Sequence, residues 1–541
     1  MSFVSDILQA ARARDAAPLL IEMHGGKQLP LSGRAFAAAV SKARGWLQRF
    51  GVQPGDRIGL LGPNGSHWAA LDLAILAERG ICVPLYSRQD PKQLGGMLKD
   101  AEARLVIVAD AALQAGIDPH LPEGCTTVLY ERVLNDAEPS DAPVVDAPTE
   151  PVTIIYTSGT SGEPKGVVLN GDNVAYMLDV TVERIARMTG KGRSEDRVFH
   201  YLPFCFAGSR IMLWSQLRRG NPLWMSTDLA NLQDEMKGAT PHYFLNVPVL
   251  LERIKNGVEG KLKAAKGPVA VLYARAINAA RAPREAQKPL DRLALIVAKR
   301  ALFPRIKKLI GPNLEFLVCG SAPLSAETQA WFNLLGIPVY QVYGLTETTG
   351  IVTIDDTDNV RIGRVGHAVP GCELKVSEDG ELLCRGPNIF PGYYRRPEAT
   401  ADVLRDGWFH TGDQVELDAA GSLRVIGRLK DVIVPESGHN VAPQPIEERL
   451  QRAAASIEQA VVVGHGRPFL TALVTGNITP ADLDSVIAEV NKELPHYQRL
   501  RKVQLIAEPF TPDNGMLTAN QKLRRKAIEQ RYRETIEEMY R

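Results

Sequence analysis

Short apolar runs alternate with helix-length amphipathic segments along most of the chain. Residues 56–61 and 81–85 are apolar runs, and residues 67–79 between them carry apolar positions at helical spacing. Further strand-like runs cover residues 105–109, 314–319 and 337–342. Strands separated by helix-length connections are typical of doubly wound parallel sheets. The pattern therefore predicts an α/β fold in which helices cover parallel sheets.

From about residue 365 the pattern changes to short strands with tight turns, as in residues 380–386 and 421–427. Short strands joined by tight turns are typical of a small β subdomain. A polar break follows at residues 427–431, which alone fits a charged surface turn equally well. The chain beyond it is long enough for a separate small domain. We predict an N-terminal domain over residues 1–429, with its β subdomain at about 365–429, and an α+β C-terminal domain over residues 430–541.

Composition narrows the class of protein. A chain of 541 residues is too long for one compact core. The hydrophobic fraction of 45% and the charged fraction of 23% are ordinary for a globular enzyme, and the net charge of +1 gives no field for nucleic acid. The six cysteines lack metal-ligand spacing, so we expect free thiols, several of them buried, in a reducing compartment. The chain shows no secretory signal and no apolar run of about 18 residues, so we expect a cytoplasmic protein.

The most informative polar segment is residues 156–166, which follow the apolar run at residues 152–155. It combines four Ser/Thr hydroxyls, glycines and Lys165, and these groups together can hold a polyphosphate. It differs from the nucleotide P-loop because Pro164 precedes the lysine and Gly166 follows it. A flexible surface turn is the alternative interpretation.

Three further polar segments follow apolar strands. Residues 341–349 place Tyr343 and a Thr-Glu pair where a purine, a phosphate and Mg²⁺ can be bound, although a capped helix start fits as well. Residues 320–324 offer a backbone slot for the edge of adenine. Residues 408–413 end in Asp413, which suits a ribose diol but is also a common turn residue.

In order and spacing, these motifs resemble the adenylate-forming enzymes, the superfamily of acyl-CoA synthetases, firefly luciferase and peptide-synthetase adenylation domains. The resemblance covers essentially the whole chain, from residues 51–56 to the C-terminus. It implies a large N-terminal region of two parallel α/β sheets plus a small β subdomain. It also implies a small mobile C-terminal domain that rotates between two half-reactions.

The resemblance implies a role for each matching residue. Tyr343 with Gly344 would stack on adenine, Thr346 would contact the α-phosphate, and Glu347 would bind Mg²⁺ together with Thr160. The residues that would cradle the β- and γ-phosphates of ATP are Thr157, Ser158, Gly159, Thr160, Ser161, Gly162 and Lys165. The other nucleotide contacts would be Gly320, Ser321 and Ala322 along the adenine edge, Asp413 on the ribose, and Arg428 on ribose or phosphate.

The C-terminal domain of the family delivers a lysine to the first half-reaction. Residues 515–525 match the loop that carries it, and Lys522 is the candidate. Lys502 and Lys526 compete but lack the preceding Leu-Thr segment, and a solvated helix over residues 523–533 is the structural alternative. Lys430 would be the hinge, and CoA would bind near Ser437, Gly438 and His439.

The segment from residue 244 to Gly320 resembles the long-chain fatty acyl-CoA synthetase branch. The acyl pocket would be lined by Phe204, Phe206, Phe244, Leu245 and Val247. Phe206 stands where many relatives carry a gating histidine, which weakens the prediction of chain length. Residues 249–310 hold fifteen Lys/Arg against four Asp/Glu. This excess fits either a solvated helical face or contact with an anionic membrane surface.

The sequence thus predicts an acyl-CoA synthetase that uses ATP, Mg²⁺, coenzyme A and a medium- or long-chain or bulky apolar acid, and that binds no nucleic acid. One alternative is a ligase that loads the phosphopantetheine arm of a carrier protein. Another is a nucleotide-binding regulator with an inactive site, against which the presence of both Glu347 and Lys522 argues.

Overall fold

The computed structural model describes residues 2–158, 164–190, 195–265, 267–358, 360–454, 456–512, 514–518 and 522–541. Two compact units are present. The first consists of Met1–Glu373 with Cys384–Phe409, and the second of Leu374–Leu383 with His410–Arg541. The strands β16, β17 and β20 listed below each run from one unit into the other.

The strands are β1 Pro18–His24, β2 Lys27–Ser32, β3 Arg57–Leu61, β4 Ile81–Leu85, β5 Leu105–Val108, β6 Thr126–Leu129, β7 Pro151–Ser158, β8 Pro164–Asn170, β9 Val198–His200, β10 Leu223–Ser226, β11 Tyr243–Asn246, β12 Leu317–Cys319, β13 Val339–Tyr343, β14 Thr353–Ile354, β15 His367–Ala368, β16 Glu373–Val376, β17 Glu381–Arg385, β18 Gly392–Tyr393, β19 Leu404–Arg405, β20 Trp408–Leu417, β21 Leu423–Arg428, β22 Ile457–Val463, β23 Leu470–Gly476 and β24 Leu500–Ile506.

The helices are α1 Phe3–Arg14, α2 Gly33–Phe50, α3 Ser66–Ala77, α4 Pro91–Asp100, α5 Ala111–Ile117, α6 Tyr130–Asn135, α7 Gly171–Thr189, α8 Ala207–Arg218, α9 Leu232–Ala239, α10 Pro248–Ala264, α11 Pro268–Arg281, α12 Pro289–Val297, α13 Phe303–Ile310, α14 Ala326–Leu334, α15 Pro397–Val403, α16 Pro443–Ala453, α17 Pro480–Glu493, α18 Arg525–Arg531 and α19 Arg533–Tyr540.

Two large sheets build the first unit. Within the described residues, one sheet has the order β15-β14-β13-β12-β11-β9-β10-β1-β2 and the other the order β18-β8-β7-β4-β3-β5-β6. In the first sheet the strands β13, β12, β11, β9 and β10 are parallel to one another, and in the second sheet β7, β4, β3, β5 and β6 are. The next neighbours of β13 and β7, which are β14 and β8, pair with them antiparallel. The predicted architecture of parallel α/β sheets is confirmed. The predicted strand at residues 81–85 has the observed bounds, and the others shift by a few residues.

An ion pair lies inside the first unit. Arg210 of α8 donates to both carboxylate oxygens of Asp72 of α3, and its third nitrogen donates to Thr153 Oγ1 at 2.7 Å. Trp214 Nε1 also donates to Asp72, at 2.9 Å. Asp72 is fully buried and Arg210 is 1% exposed, so the charges are stabilised by one another and by these hydrogen bonds. The pair fixes α8 against α3 and the strand that leads to the loop at residue 159.

The second unit contains the antiparallel pair β20–β21 and the sheet β22-β23-β24 with α16 to α19. Its core is formed by apolar side chains such as Ile446, Val462 and Leu473. The helix considered for residues 523–533 starts only at Arg525 and breaks at Tyr532, where α19 follows. Lys522 therefore precedes the helix and does not open it.

The six cysteines are free, and five of them are buried while Cys125 is half-buried. Burial raises the pKa of each thiol that shifts, for example that of Cys125 to about 11. In the described part of the chain, no helix is both long and apolar enough to cross a membrane.

Candidate active site

The predicted phosphate loop connects two antiparallel strands. Thr157 pairs with Lys165 and Ser158 with Pro164, so β7 and β8 form a hairpin whose connection is the loop. Gly159, Thr160, Ser161 and Gly162 lie outside the described residues. β7 is followed by a second strand, β8, whereas a nucleotide P-loop leads from a strand into a helix, and this agrees with the distinction drawn from the sequence.

Gly166 makes the hairpin possible. A Cβ at Gly166 would lie 2.6 Å from Cγ2 of Ile154, so only glycine fits there. Its cross-strand partner Tyr156 donates its hydroxyl to Asp100 at 2.8 Å, and burial followed by this carboxylate raises the pKa of Tyr156. The tyrosine therefore stays neutral and holds the base of the loop to α4.

Lys165 lies beside an aromatic ring of a strand that is distant in sequence but adjacent in the sheet. The Lys165 ammonium lies 5.1 Å from the ring centroid of Tyr393, a cation–π distance. Tyr393 belongs to β18, which pairs antiparallel with β8 and places Tyr393 opposite Val167. Tyr393 was not among the residues predicted from the sequence.

The same tyrosine contacts Glu347. Tyr393 Oη donates to Glu347 Oε1 at 2.9 Å, and the backbone N–H of Phe390 donates to the Glu347 carbonyl at 2.9 Å. Within the described residues, Oε2 of Glu347 has neither a hydrogen bond nor an ion pair. The structure thus brings the predicted phosphate-loop lysine and the predicted magnesium carboxylate into contact with one tyrosine.

The turn that carries Thr346 and Glu347 is tightly packed. It follows β13 as a single 3₁₀ turn, Thr346–Thr348, and ends at Thr349, whose φ of 54° is left-handed. A Cβ on Gly344 would lie 2.3 Å from the Gly350 carbonyl oxygen, so this close approach requires glycine. Thr348 Oγ1 accepts from Leu345 N at 2.9 Å and closes the turn, and the α-helix start considered as the alternative for this segment does not form. Thr346 and Glu347 remain half-buried, with their side chains available to a ligand.

The predicted adenine contacts lie on neighbouring strands. β12 and β13 are parallel, with Cys319 opposite Gln341, so Gly320 and Tyr343 follow at the same edge of the sheet. A Cβ on Gly320 would lie 2.6 Å from Cγ2 of Val342. Ser321 has a left-handed φ of 70°, and both Ser321 and Ala322 are exposed. The residues predicted to contact adenine therefore lie at one edge of the sheet, and the adenine contact itself stays a prediction.

Buried polar side chains hydrogen-bond to the backbone of β13 and to one another. Asp355 Oδ2 accepts from the Gln341 backbone N–H at 2.8 Å, and Gln341 Nε2 donates to Gln329 Oε1 at 2.9 Å. Asp355 is 1% exposed. Among the described residues, its Oδ1 has no hydrogen-bond partner. Burial raises the pKa of Asp355 to about 7, although the hydrogen bonds from Gln341 and Gln329 oppose this shift.

In the second unit, Asp413 and Arg428 are cross-strand partners. Arg428 Nε lies 2.7 Å from Asp413 Oδ1, and Asp413 is 4% exposed. The preceding Gly412 donates its N–H to Glu381 at 2.8 Å, which fixes the strand at this point. The structure therefore brings together the two residues predicted for the ribose and phosphate. The predicted hinge residue, Lys430, follows directly, and partial desolvation together with Arg428 lowers its pKa.

Two hydrogen bonds join Lys522 to Thr518. The Lys522 N–H donates to Thr518 Oγ1 at 3.1 Å, and the Thr518 N–H donates to the Lys522 carbonyl at 2.8 Å. Lys522 is exposed. Arg525 anchors the loop, because its two terminal nitrogens each lie 2.6 Å from an oxygen of Glu447. Sequence reasoning missed Arg525 and Glu447, which are 78 residues apart along the chain.

The segment predicted to contact CoA is exposed. His439 Nδ1 lies 3.2 Å from Ser437 Oγ, and the His439 ring stacks on Tyr497 with centroids 4.4 Å apart. Gly438 between them has a left-handed φ of 75°.

The five predicted acyl-pocket residues divide into two groups. Phe204 and Phe244 are each 1% exposed and pack in the core, Phe204 against Trp68 and Phe244 against Phe199. Phe206, Leu245 and Val247 are half-buried. Phe206 precedes α8, and its ring lies 5.8 Å from that of Tyr86. The half-buried group is the one that can meet a ligand.

The segment before Phe206 is fixed by a neutral histidine. His200 is fully buried, and burial lowers its pKa to about 4. Its Nε2 lies 2.7 Å from Ser209 Oγ, which donates to the Leu202 carbonyl at 2.8 Å. These hydrogen bonds hold the segment between β9 and α8 in place, and Phe206 lies at the end of this segment.

The donor set at Glu347 fits Mg²⁺ that is shared with a nucleotide. In the described residues, no group of three or more His, Cys, Asp or Glu side chains could hold a metal ion by itself. Glu347 offers a single carboxylate with its Oε2 unengaged within those residues. Mg²⁺ at nucleotide sites is typically held by one or two carboxylates together with phosphate oxygens and water, and Glu347 meets that description.

Comparison with known proteins identifies the family. The AMP-binding enzyme model matches residues 8–394, and the AMP-binding enzyme C-terminal domain model matches residues 430–541. The long-chain-fatty-acid–CoA ligase FadD15 of Mycobacterium bovis is 31% identical over 537 residues, which cover 91% of this chain and 89% of that protein. The long-chain-fatty-acid–CoA ligase ACSBG2 of Homo sapiens is 25% identical over 97% of this chain and 90% of its own length.

Solved structures share the fold. The A domain of carboxylic acid reductase from Segniliparus rugosus, in complex with AMP and a co-purified carboxylic acid, aligns with a TM-score of 0.80 at 19% identity, covering 100% of this chain and 94% of that chain. ATP-bound MatB from Rhodopseudomonas palustris aligns with a TM-score of 0.76 at 22% identity, covering 98% and 99%. The chain belongs to the AMP-binding enzyme family, in its fatty acyl-CoA synthetase branch.

Proposed function

We propose that this protein is an ATP-dependent fatty acyl-CoA synthetase, an AMP-forming acid–thiol ligase that uses Mg²⁺ and coenzyme A. The names of its relatives support a long-chain fatty acid as the acyl substrate. The observation in the structure that carries the proposal is the arrangement of Lys165, Tyr393 and Glu347 beside the phosphate-loop hairpin. This arrangement offers a cation and a carboxylate where a triphosphate and its metal have to be held.

The first half-reaction joins the acid to AMP. A fatty acid has a pKa near that of a glutamate side chain, about 4.3, so it is already an anion at neutral pH and needs no general base. A carboxylate oxygen attacks the α-phosphorus of ATP, the bond to the β-phosphate breaks, and pyrophosphate leaves. The barrier comes from bringing two anions together, and we assign Lys522 and Thr346 to stabilise the charge at the α-phosphate. Mg²⁺ bound at Glu347 and Thr160 would supply further positive charge.

The remaining phosphate and nucleoside contacts follow from the site. Lys165 and the loop Thr157, Ser158, Gly159, Thr160, Ser161 and Gly162 would hold the β- and γ-phosphates. Tyr343 and Gly344 would cover adenine against Gly320, Ser321 and Ala322. Asp413 and Arg428 would bind the ribose, each exchanging part of its present ion pair for ligand contacts.

The second half-reaction transfers the acyl group to sulfur. The thiol of CoA attacks the acyl carbonyl carbon, AMP leaves, and the thiol proton is released. A free thiol has a pKa of about 8.5, so only a few per cent is thiolate at neutral pH, and positioning has to supply the rate. We assign Ser437, Gly438 and His439 to the CoA path and Lys430 to the hinge of a C-terminal domain over residues 430–541.

Tyr393 is assigned as a positioning residue. Its hydroxyl donates to Glu347 and its ring lies beside Lys165, so it contacts both charged groups. Hydrogen bonds to a metal-binding carboxylate commonly change metal affinity by about 10- to 100-fold. Phe206, together with Leu245 and Val247, is assigned to the acyl path.

The acceptor is tested by comparing thiols. With a long-chain acid, ATP and Mg²⁺, free CoA should give the thioester, and a phosphopantetheine-loaded carrier protein should react far more slowly. A strong preference for the carrier would favour the carrier-loading ligase instead. Absence of pyrophosphate exchange with every acid tested would favour the inactive regulator.

Location and membrane contact belong to the proposal as well. We place the protein in the cytoplasm, with peripheral contact to membranes through the basic segment at residues 249–310. The supporting observation is the ratio of fifteen Lys/Arg to four Asp/Glu in this segment, which favours an anionic surface where the acyl substrates partition.

A further inference from the structure

Exposed apolar side chains are concentrated in the basic segment. Of the fifteen large hydrophobic side chains that are exposed in the described part of the chain, eight lie within residues 249–310. That segment is only about a ninth of the sequence, so the concentration is not what a scattered distribution of surface apolar residues gives. Such clusters on a soluble fold mark surfaces that contact a partner.

Helix α12 carries the densest part of this cluster. Leu290 is 64% exposed, Leu293 57%, Ile296 45% and Val297 42%. Spacings of three and four residues place these side chains on one face of the helix. The opposite face carries Ala294 and the adjoining Ala298, which are both buried, and Ala298 belongs to a hydrophobic core cluster of the first unit. We call the four exposed side chains, Leu290, Leu293, Ile296 and Val297, the α12 ridge.

Basic side chains flank the α12 ridge. Lys288, Arg292, Lys299 and Arg300 are all exposed. Among the described residues, none of these four forms an ion pair. The single acidic residue between positions 288 and 300 is Asp291, which is half-buried and lies on the side of the helix away from the ridge. The helix therefore presents an exposed apolar face that is flanked by four cations, none of which is in an ion pair with a described residue.

We infer that the α12 ridge is a membrane-docking surface, which inserts shallowly into an anionic phospholipid bilayer while Lys288, Arg292, Lys299 and Arg300 bind lipid phosphates. An amphipathic helix with a basic rim lies in the plane of such an interface, with its apolar face at the boundary of headgroups and acyl chains. Charge complementarity selects an anionic bilayer over a neutral one. The ridge thereby narrows the proposed membrane contact of the segment to one helix, and it does not depend on which acid the enzyme activates.

Vesicle sedimentation of the full chain tests this surface without catalysis. Vesicles of equal parts phosphatidylglycerol and phosphatidylcholine should bind the protein, and vesicles of phosphatidylcholine alone should bind it weakly. Substituting Leu290→Gln, Leu293→Gln and Ile296→Gln together should lower partition to the anionic vesicles by at least roughly tenfold, because apolar insertion is lost. The control combines Leu29→Gln, Ile362→Gln and Leu417→Gln, which are exposed elsewhere to a similar extent and should leave binding unchanged.

A charge variant tests the other half of the inference. Arg292→Gln, Lys299→Gln and Arg300→Gln together should reduce binding to the anionic vesicles by about fivefold for each cation removed, and hardly change binding to neutral ones. All variants should retain activity on a medium-chain acid supplied in solution without vesicles, since α12 is outside the proposed site. The inference is overturned if the wild-type protein does not bind anionic vesicles, or if the ridge variant binds them as strongly as the wild type does. It is also overturned if the ridge variant only dissociates a wild-type oligomer, because the ridge would then bind protein.

Discussion

Tyr393 Oη donates to Glu347 Oε1 at 2.9 Å, while the ring of the same tyrosine lies 5.1 Å from the Lys165 ammonium. The three residues come from β18, the turn after β13, and β8. Because β18 pairs directly with β8, the backbone of Tyr393 is hydrogen-bonded into the same sheet as the phosphate-loop hairpin. Tyr393 therefore links Glu347, the proposed metal ligand, to Lys165, the proposed phosphate ligand. The first prediction concerns this link.

Replacing Tyr393→Phe should keep the ring beside Lys165 and lose the hydrogen bond to Glu347. We expect the affinity for Mn²⁺ in the presence of a non-hydrolysable ATP analogue to fall by about 10- to 100-fold, while metal-free nucleotide binds almost as before. Electron paramagnetic resonance of bound Mn²⁺ measures this directly. Tyr394→Phe is the control, because the Tyr394 hydroxyl has no hydrogen bond among the described residues, while the packing of its ring and the backbone bond to the Gly166 carbonyl would both be kept.

The coupling between Tyr393 and Glu347 can be measured separately. Glu347→Gln alone should strongly weaken Mg²⁺-dependent turnover, because the carboxylate charge is lost. In that background, Tyr393→Phe should add little, since the hydroxyl acts through the carboxylate. Fully additive effects would show that Tyr393 acts elsewhere. An unchanged Mg²⁺ titration for Glu347→Gln would instead contradict the metal assignment itself.

Lys522→Ala should separate the two half-reactions. We expect formation of acyl-AMP to fall by roughly 10²- to 10³-fold, because a cation at the developing charge is removed. Thioester formation from supplied acyl-AMP and CoA should stay nearly intact. Lys502→Ala and Lys526→Ala are the controls, and each should leave the first step close to wild type. An equal loss in both half-reactions of a folded variant would exclude Lys522 as the adenylation lysine.

Asp355 should make stability depend on pH. Its pKa of about 7 in the folded protein lies above the ordinary value of about 3.9. The folded state therefore holds a proton that the unfolded chain has lost, and stability declines as pH rises through this window. Asp355→Asn, which keeps an oxygen for the Gln341 N–H, should remove the decline and stabilise the protein above pH 7 relative to wild type.

Thermal melting across this pH range measures the effect. Near pH 4, Asp355→Asn and wild type should melt at similar temperatures, and the variant should gain as the pH increases. Asp358→Asn, an exposed carboxylate nearby, should run parallel to wild type throughout. A variant that is less stable than wild type above pH 7 would show that the charged carboxylate is favoured in place.

Phe206→Ala should let water hydrolyse acyl-AMP before the thiol of CoA reacts with it. Phe206 is half-buried at the start of α8, on a segment held by His200 and Ser209. We expect more acyl-AMP to be released and hydrolysed per thioester formed, with little change in the affinity for ATP. The ratio of AMP to acyl-CoA measures this leak. Phe50→Ala, another partly exposed aromatic, is the control, and an unchanged ratio for Phe206→Ala would remove Phe206 from the acyl path.

Much of the fold could be predicted because its strands are short apolar runs bounded by glycine, proline or charge. The run at residues 81–85 became β4 without change, because all five of its side chains are buried. The motif loops were found for the same reason: polar residues that directly follow an apolar run stand out. Helix bounds were less accurate, as at Tyr532, where a backbone ψ of 26° ends α18.

The contacts that complete the site were not visible in the sequence. Tyr393 meets Glu347 across 46 residues, and Arg525 meets Glu447 across 78. The buried pair of Asp72 and Arg210 spans 138 residues. In each case one partner looks like an ordinary surface residue until strand pairing or helix packing brings the other to it, and local pattern carries no signal of that pairing.

The central claim is that the enzyme activates a long apolar acid through its adenylate. Acid-dependent exchange of pyrophosphate into ATP, measured over acids from acetate to a long-chain fatty acid, tests it most directly. Each buried methylene contributes about 0.8 kcal/mol, so several of them should raise the specificity for long acids over acetate by orders of magnitude. Acetate used as efficiently as a long-chain acid would contradict the acyl assignment, and no exchange with any acid would contradict the adenylating activity.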